Sequence, residues 1–277
     1  ISTNLSTIIS VRKILLMRVL AIAMQVPDSR AVIRVLDDGS GVDPAGLKFV
    51  CSPFDEFAVE QAVQIREGGW EVEEIIAFTA GDKGAAGALR TALAMGADRG
   101  IHLVGDDLPL HDEVAMARLI AAAIRQADAQ PDLVLCGKKA IDNDSGELGP
   151  ALAEFLELPH VGGVIGLELD DTAGRARIHR RTDDGEVVLE GDLPMLLTCD
   201  KGLVEPRYPA LPMIMKAKKK PVDTIDASTL ADQSEPSTTF VCLQAPSERP
   251  PCRVLDGTPE EMARELVGLL RKEAKVL

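Results

Sequence analysis

The sequence predicts an α/β fold: a doubly wound, mostly parallel sheet with helices on both faces, a small antiparallel excursion and a C-terminal arm. Apolar runs of strand length alternate with segments of helical periodicity, an order typical of parallel sheets. The predicted strands are apolar on both faces, as strands buried between two helical layers are. The 277 residues are 46% hydrophobic, enough for a substantial core.

The predicted elements alternate from residue 19 onward. Strands are predicted at 19–24, 73–81, 101–104 and 131–137, and helices at 52–69, 84–97, 112–127 and 148–156. The first helix has the clearest signals, because Ser52 can cap it, Pro53 suits its first turn and Gly68–Gly69 stop it. After Pro159, short alternating segments with Asp/Gly turns predict an antiparallel excursion that returns to the sheet at 194–199.

Composition excludes several classes of protein. The net charge of -14 and a pI of about 4.8 are the opposite of what nucleic-acid binding requires. The five cysteines are an odd number without zinc-site spacing, so we expect reduced thiols and no metal. No stretch approaches the apolar length of a membrane span, so we expect a cytoplasmic protein without membrane insertion.

The chain is expected to have three parts. Residues 1–16 are acid-free and rich in Ser and Thr, and we predict a disordered extension with no role in the fold. Residues 17–235 are predicted to form the α/β nucleotide-binding domain. Residues 236–277 are predicted to form a C-terminal arm and helix.

Ligands of doubly wound sheets lie beyond the carboxyl ends of the strands, where the strand order reverses. Three segments qualify by position: residues 24–27, 79–81 and 137–149. The third lies within LCGKKAIDNDSGELGP (135–150), a glycine-bearing turn between a strand and a helix. Gly146 and Gly149 would let the backbone approach a ligand, and the helix from Leu148 would present free N–H groups to an anion such as phosphate. The alternative interpretation is a solvated turn.

Standard catalytic and nucleotide motifs are missing from the sequence. It contains no GxxxxGK[ST], GxSxG or HExxH, and the four histidines share no spacing. We therefore predict that the chain is not an enzyme.

The segment EPRYPALPMIMKAKKK (205–220) is rich in proline and ends in a basic run, Lys216 to Lys220. It can be interpreted as a connecting loop with solvated lysines. However, its apolar residues between prolines would be exposed, which is more typical of a docking site.

Four segments carry a resemblance to a known family when taken together and in order. They are SPFDEFAVEQAVQIRE (52–67), RTALAMGADRGIHL (90–103), LCGKKAIDNDSGELGP (135–150) and EPRYPALPMIMKAKKK (205–220). The chain resembles the β subunit of electron transfer flavoprotein from Met17 to its C-terminus.

The resemblance implies an electron carrier and a heterodimer. The α subunit would hold most of a redox-active FAD, and the C-terminal arm and helix of this chain would pack on that subunit. Electrons would pass from a flavin dehydrogenase, docked at the 205–220 loop, to a downstream quinone-linked or other acceptor. This chain itself would bind AMP or, as in electron-bifurcating members, a second FAD.

The resemblance also implies site residues. Those expected to bind the cofactor are Ile22, Ala23, Ser52, Pro53, Phe54, Asp55, Ala80, Gly81, Gly137, Lys138, Lys139, Ala140, Ile141, Asp142, Asn143, Asp144, Ser145, Gly146, Glu147 and Leu148. Those expected to dock the partner are Tyr208, Leu211, Pro212, Ile214, Met215 and Lys216, with Leu211 as the anchor.

Two departures from the family pattern affect the phosphate. Glu147 stands where relatives often have Gln, and an ionised carboxylate cannot donate a hydrogen bond to phosphate. Met24 stands where relatives usually have Lys, so a positive charge is lost. Two alternatives remain at this stage: a stand-alone adenine-nucleotide sensor of the same fold, and an ATP-using enzyme, whose Ser-Gly-Gly type loop after the first strand is missing.

Overall fold

The computed structural model describes residues 16–170, 174–233, 235–247, 249 and 251–277. The extension predicted over residues 1–16 therefore lies outside the described residues, except for the exposed Leu16. The described residues of 1–33 and 43–241 form one compact unit, and those of 34–42 and 242–277 form another. The predicted cofactor and docking residues all belong to the first unit.

A mostly parallel sheet lies at the centre of the first unit. The strands along the chain are β1 (Met17–Ile22), β2 (Gln25–Pro27), β3 (Phe49–Cys51), β4 (Val72–Gly81), β5 (Arg99–Val104), β6 (Leu133–Gly137), β7 (His160–Asp170), β8 (Arg175–Thr182), β9 (Gly185–Asp192), β10 (Met195–Cys199) and β11 (Val222–Asp226). Within the described residues the main sheet has nine strands in the order β11-β5-β4-β1-β6-β10-β7-β8-β9. Neighbours from β11 to β7 are parallel, and β7, β8 and β9 are joined antiparallel.

Helices cover both faces of this sheet, so the predicted doubly wound fold is confirmed. The helices of the first unit are α1 (Pro53–Glu67), α2 (Ala86–Met95), α3 (Glu113–Gln126), α4 (Leu148–Leu156) and α5 (Leu211–Ala217), and α6 (Pro259–Lys272) belongs to the second unit. Successive side chains of a strand point to opposite faces. Accordingly, Val19 and Ala21 of β1 pack in one hydrophobic cluster with α1 and α2, whereas Leu20 and Ile22 pack in another with α3 and α4.

The antiparallel excursion predicted after Pro159 is present. It consists of β7, β8 and β9, and the chain then returns through β10 into the gap between β6 and β7. The position of β10 places the end of that strand, Cys199, beside the end of β6 at Gly137.

Two local predictions were wrong in secondary structure. Residues 25–28, directly after the predicted first strand, carry a turn signal, but β2 lies at Gln25–Pro27 and pairs antiparallel with β3. A strand of three residues that ends in proline is too short to give a periodic signal. Residues 205–220 were expected to form a loop, but they contain α5. Pro212 is compatible with this helix because it lies in the first turn, where a backbone N–H has no helical partner.

The prediction that Ser52 caps α1 was also wrong in its mechanism. Ser52 stands at the N-cap position, but its side chain makes no capping hydrogen bond. Its backbone carbonyl accepts the first helical bond, from the N–H of Glu56.

Candidate functional site: the loop between β6 and α4

The strand order reverses between β1 and β6. From β1 the chain proceeds to β4 and β5 on one side, and it then crosses to β6 on the other side. The carboxyl ends of β1 and β6 are Ile22 and Gly137, and a crevice between such ends is where ligands of this fold class bind. The predicted residues Ile22, Ala23 and Gly137 are therefore brought together.

Asp55, in the first turn of α1, joins these two strand ends. Its Oδ2 accepts a hydrogen bond from the Met24 N–H at 2.9 Å, and its Oδ1 accepts one from the Gly137 N–H at 2.7 Å. The side chain is buried. Burial raises the pKa of Asp55 to about 7, against the opposing effect of the two N–H groups, which favour the carboxylate.

Gly137 is required by this close approach. A Cβ atom on Gly137 would lie 2.7 Å from Cβ of Phe54 and 2.9 Å from the backbone N of Asp55. Gly149 is equally constrained, since a Cβ there would lie 2.4 Å from Cγ2 of Thr198. Both glycines thus allow a helix to contact the sheet at the edge of the crevice.

The loop 137–148 contains two lysines that would be natural phosphate ligands. Each is instead paired with a carboxylate. The Lys138 Nζ lies 3.2 Å from Oδ2 of Asp200, and the Lys139 Nζ lies 2.7 Å from Oδ2 of Asp144. Both lysine charges of the loop are therefore paired within the chain.

The sequence analysis missed Glu113, a residue of α3 whose carboxylate lies at the start of α4. Oε2 of Glu113 accepts hydrogen bonds from the N–H groups of Glu147 at 2.9 Å and Leu148 at 2.8 Å. Its Oε1 accepts one from the Nδ2 of Asn143 at 2.6 Å. The sequence analysis predicted that N–H groups at the start of α4 would bind an anion such as phosphate. In the structure two of them donate to the carboxylate of Glu113. No local pattern could have revealed this contact, because Glu113 belongs to α3.

Two hydroxyl groups near the strand ends have no visible role in the fold. Ser52 and Thr79 are 1% and 0% exposed, and their hydroxyl oxygens have no hydrogen-bond partner among the described residues. Ser52 lies next to the end of β1, since its N–H donates to the carbonyl of Met24. Buried hydroxyls are usually hydrogen-bonded, so these two are exceptions that call for an explanation.

The remaining predicted cofactor residues lie near these strand ends and in the loop, and they differ in how far they are buried. Ala80 is buried, and Gly81 has a φ of +155° at the end of β4, the neighbour of β1. Pro53 and Phe54 form the first turn of α1, and the Phe54 ring lies 6.0 Å from the Lys139 Nζ. Ala140, Ile141, Asp142 and Gly146 lie in the loop 137–148, of which Asp142 is exposed.

The predicted docking residues form an exposed apolar surface on and before α5. Tyr208 is 99% exposed, Leu211 72% and Met215 55%. Pro212, Ile214 and Lys216 are also exposed. The last lysine of the basic run differs from the others, because the Lys220 Nζ donates to the carbonyls of Leu93 and Ala97 at the end of α2.

Arg207 holds the start of this surface on α1. Its guanidinium donates to the carboxylates of Glu60 and Glu67, with distances of 2.7 Å from Nε to Glu60 and from Nη1 to Glu67. Burial alone would raise the pKa of Glu60, but the hydrogen bonds from Arg207 outweigh burial, and the pKa lies below its ordinary value.

Comparison with known proteins identifies the family. The family model described as "Electron transfer flavoprotein domain" matches residues 41–230. The chain is 38% identical over 250 residues to the electron transfer flavoprotein subunit beta of Bacillus subtilis (strain 168), covering 88% of this chain and 93% of that protein. It is 36% identical over 262 residues to the subunit beta of Sus scrofa, covering 94% of this chain and 99% of that protein.

The chain belongs to the electron transfer flavoprotein β subunit family. Membership of the electron transfer flavoprotein family implies electron transfer with the involvement of flavin. In the part of the chain that the structure describes, no helix has both the length and the apolar character needed to cross a membrane.

Proposed function

We propose that this chain is the β subunit of a heterodimeric electron transfer flavoprotein and carries electrons rather than catalysing a reaction of its own. A flavin dehydrogenase would supply the electrons, and a quinone-linked or other acceptor would receive them. The family match over most of the chain supports the electron-carrier role. The structural observation that carries the docking role is the exposed surface of Tyr208, Leu211 and Met215, fixed to α1 by Arg207.

The α subunit would hold most of the FAD. The sequence of this chain has no GxGxxG fingerprint after its first strand, so it lacks the usual means of binding a dinucleotide by itself. α6 is a suitable element for contact with the α subunit. Its residues Leu266 and Val267 are 47% and 41% exposed, and such apolar residues are commonly covered by a partner.

An adenine nucleotide would bind in the crevice at the ends of β1 and β6. The nucleoside part is expected there because the Ser52 and Thr79 hydroxyls, near these strand ends, have no hydrogen-bond partner among the described residues. The loop 137–148 would lie over the phosphate side, as the family resemblance implies. The chain's own residues bind and orient the nucleotide, and they take no part in a bond-breaking step.

The test is to purify this chain with and without its α subunit and to identify the small molecules that each preparation releases, by mass spectrometry. We expect one FAD and one adenine nucleotide from the heterodimer and no FAD from the chain alone. Two FAD per heterodimer would indicate an electron-bifurcating member. A flavin-saturated single chain would contradict the proposed division of the cofactor between the subunits.

A further inference from the structure

The N-terminus of α4 already binds a carboxylate of the protein. Glu113 contacts three donors of the loop: the N–H groups of Glu147 and Leu148 and the side-chain amide of Asn143, at 2.9, 2.8 and 2.6 Å. Hydrogen bonds to an ionised acceptor are short and strong. A carboxylate near a helix N-terminus also interacts favourably with the helix dipole. Glu113 thus accepts the hydrogen bonds that the phosphate group of a ligand would otherwise accept.

The two lysines of the loop also have carboxylate partners. Lys138 is paired with Asp200 and Lys139 with Asp144, so a phosphate would compete with a carboxylate for each positive charge. A phosphate placed at the start of α4 would lie close to the Glu113 carboxylate and would compete for the same N–H groups. Like charges at such a distance repel each other, the more strongly where water is partly excluded.

The nucleoside side of the crevice presents no such obstacle. The buried Ser52 and Thr79 hydroxyls have no partner among the described residues, and they lie at the strand ends rather than at the start of α4. The two regions therefore differ in character: the strand ends carry buried neutral hydroxyls without a partner among the described residues, whereas the N–H groups at the start of α4 are bound by the carboxylate of Glu113.

We propose that Glu113 is a specificity-determining residue of this site: its carboxylate occupies the N–H groups that a phosphate would bind, and this lowers the affinity for a nucleoside phosphate without changing the affinity for the uncharged nucleoside. The proposal rests on the adenine-nucleotide site proposed above. A nucleoside phosphate binds only when the Glu113 side chain rotates away from Glu147 and Leu148, and binding includes the cost of breaking these contacts.

The experiment titrates AMP and adenosine separately into the full chain, in the assembly in which it purifies, by calorimetry. The variants are Glu113→Ala, which removes the carboxylate, and Glu113→Gln, which removes the charge and keeps the shape. Glu154→Gln is the matched control, since the Glu154 side chain is exposed on α4 and is not among the predicted cofactor residues. Melting curves establish that each variant is folded.

We expect Glu113→Ala to increase the affinity for AMP about tenfold, the size of one unfavourable charge contact. Glu113→Gln should have a smaller effect in the same direction, because its amide oxygen can still accept the N–H bonds. The affinity for adenosine should stay unchanged in both variants. Glu154→Gln should leave the affinity for AMP unchanged.

Two results would overturn the proposal, and they differ in what else they imply. If AMP and adenosine bind, but Glu113→Ala leaves AMP affinity unchanged or weaker, Glu113 does not compete with phosphate and the nucleotide site still stands. If no variant, including Glu113→Ala, binds either compound, both this proposal and the adenine-nucleotide site are wrong.

Discussion

The carboxylate of Asp55 accepts a hydrogen bond from the backbone N–H of Gly137, 82 residues away in sequence. The same carboxylate binds the Met24 N–H, so one buried side chain joins α1 to the ends of β1 and β6. These two strands flank the point where the strand order reverses. Asp55 therefore fixes the geometry of the crevice, and the stability of this part of the fold depends on its protonation.

Asp55→Asn should change how stability depends on pH. The pKa of Asp55 in the folded chain is about 7, above its ordinary value of 3.8. A raised pKa means that the stabilisation is fully present below pH 4 and is lost as the pH rises through 7. Relative to the parent, the free energy of unfolding of Asp55→Asn should therefore increase by up to about 4 kcal/mol over this range.

The measurement for Asp55 is urea unfolding of both proteins at several pH values between 4 and 8. Asp107→Asn, at an exposed position, serves as the control. A constant difference between Asp55→Asn and the parent across the range would show that the carboxyl titrates at the same pH in the folded and unfolded states.

Gly137→Ala should destabilise the fold at the crevice. The new Cβ would lie 2.7 Å from Cβ of Phe54 and 2.9 Å from the backbone N of Asp55, so α1 or the end of β6 must shift. Overpacking of this kind costs about 1–3 kcal/mol. Gly87→Ala is the matched control, because nothing lies within 4 Å of the added Cβ and alanine favours a helix. Thermal melting should give a lower Tm for Gly137→Ala and a slightly higher Tm for Gly87→Ala than for the parent. Equal melting temperatures would mean that the contact at Gly137 relaxes without cost.

Arg207→Gln should weaken the fold at the docking surface. It leaves Glu60, which is 2% exposed, without its ion-pair partner. An uncompensated buried charge costs about 3 kcal/mol or more, which corresponds to a fall of about 5–10 °C in Tm. The pKa of Glu60 lies below its ordinary value, so this stabilisation is present above pH 4.5 and is lost as the pH falls through the lowered pKa.

Glu67→Gln is the control for Arg207, because the Glu67 side chain in the same ion-pair network is 57% exposed. It should lower stability by less than about 1 kcal/mol. The two variants are compared by calorimetric melting at pH 7 and pH 4. An Arg207→Gln protein that melts like Glu67→Gln at pH 7 would show that Glu60 finds another partner or binds water.

Leu211→Ala should weaken docking to the flavin dehydrogenase without harming the fold. The Leu211 side chain is 72% exposed, so its removal changes little in the free chain. An interface leucine contributes about 1.5–3 kcal/mol, which corresponds to about ten- to a hundredfold in affinity. Leu110→Ala, 58% exposed and outside α5, is the control. The dependence of the reduction rate on carrier concentration gives the affinity. If Leu211→Ala is reduced like Leu110→Ala, the α5 surface is not the docking site.

The fold was largely predictable because its strands and helices have strong periodic patterns. The bounds of α4, Leu148–Leu156, agree with the prediction, since Gly149 and Pro150 mark its first turn and apolar spacing marks its face. The missed elements, β2 and α5, are short and contain proline. For such elements, tertiary contacts decide the structure, and local sequence does not report them.

The position of the candidate site could be predicted, but its electrostatics could not. Strand ends and glycines indicate where backbones approach, so the crevice follows from the order of elements. The pairing of Lys138 with Asp200 and the contact of Glu113 with α4 join residues from different elements. No spacing rule relates such residues, so the sequence alone does not show that the two lysines at 138–139 are paired with carboxylates.

The most direct test of the electron-carrier role follows the flavin absorbance of the purified heterodimer while a flavin dehydrogenase and its substrate are added. We predict that this chain copurifies with an α subunit, that the complex contains bound FAD, and that the flavin absorbance falls as electrons arrive. A heterodimer whose flavin stays oxidised with every dehydrogenase of the source cell, or a chain that forms no flavin-containing complex, would contradict it.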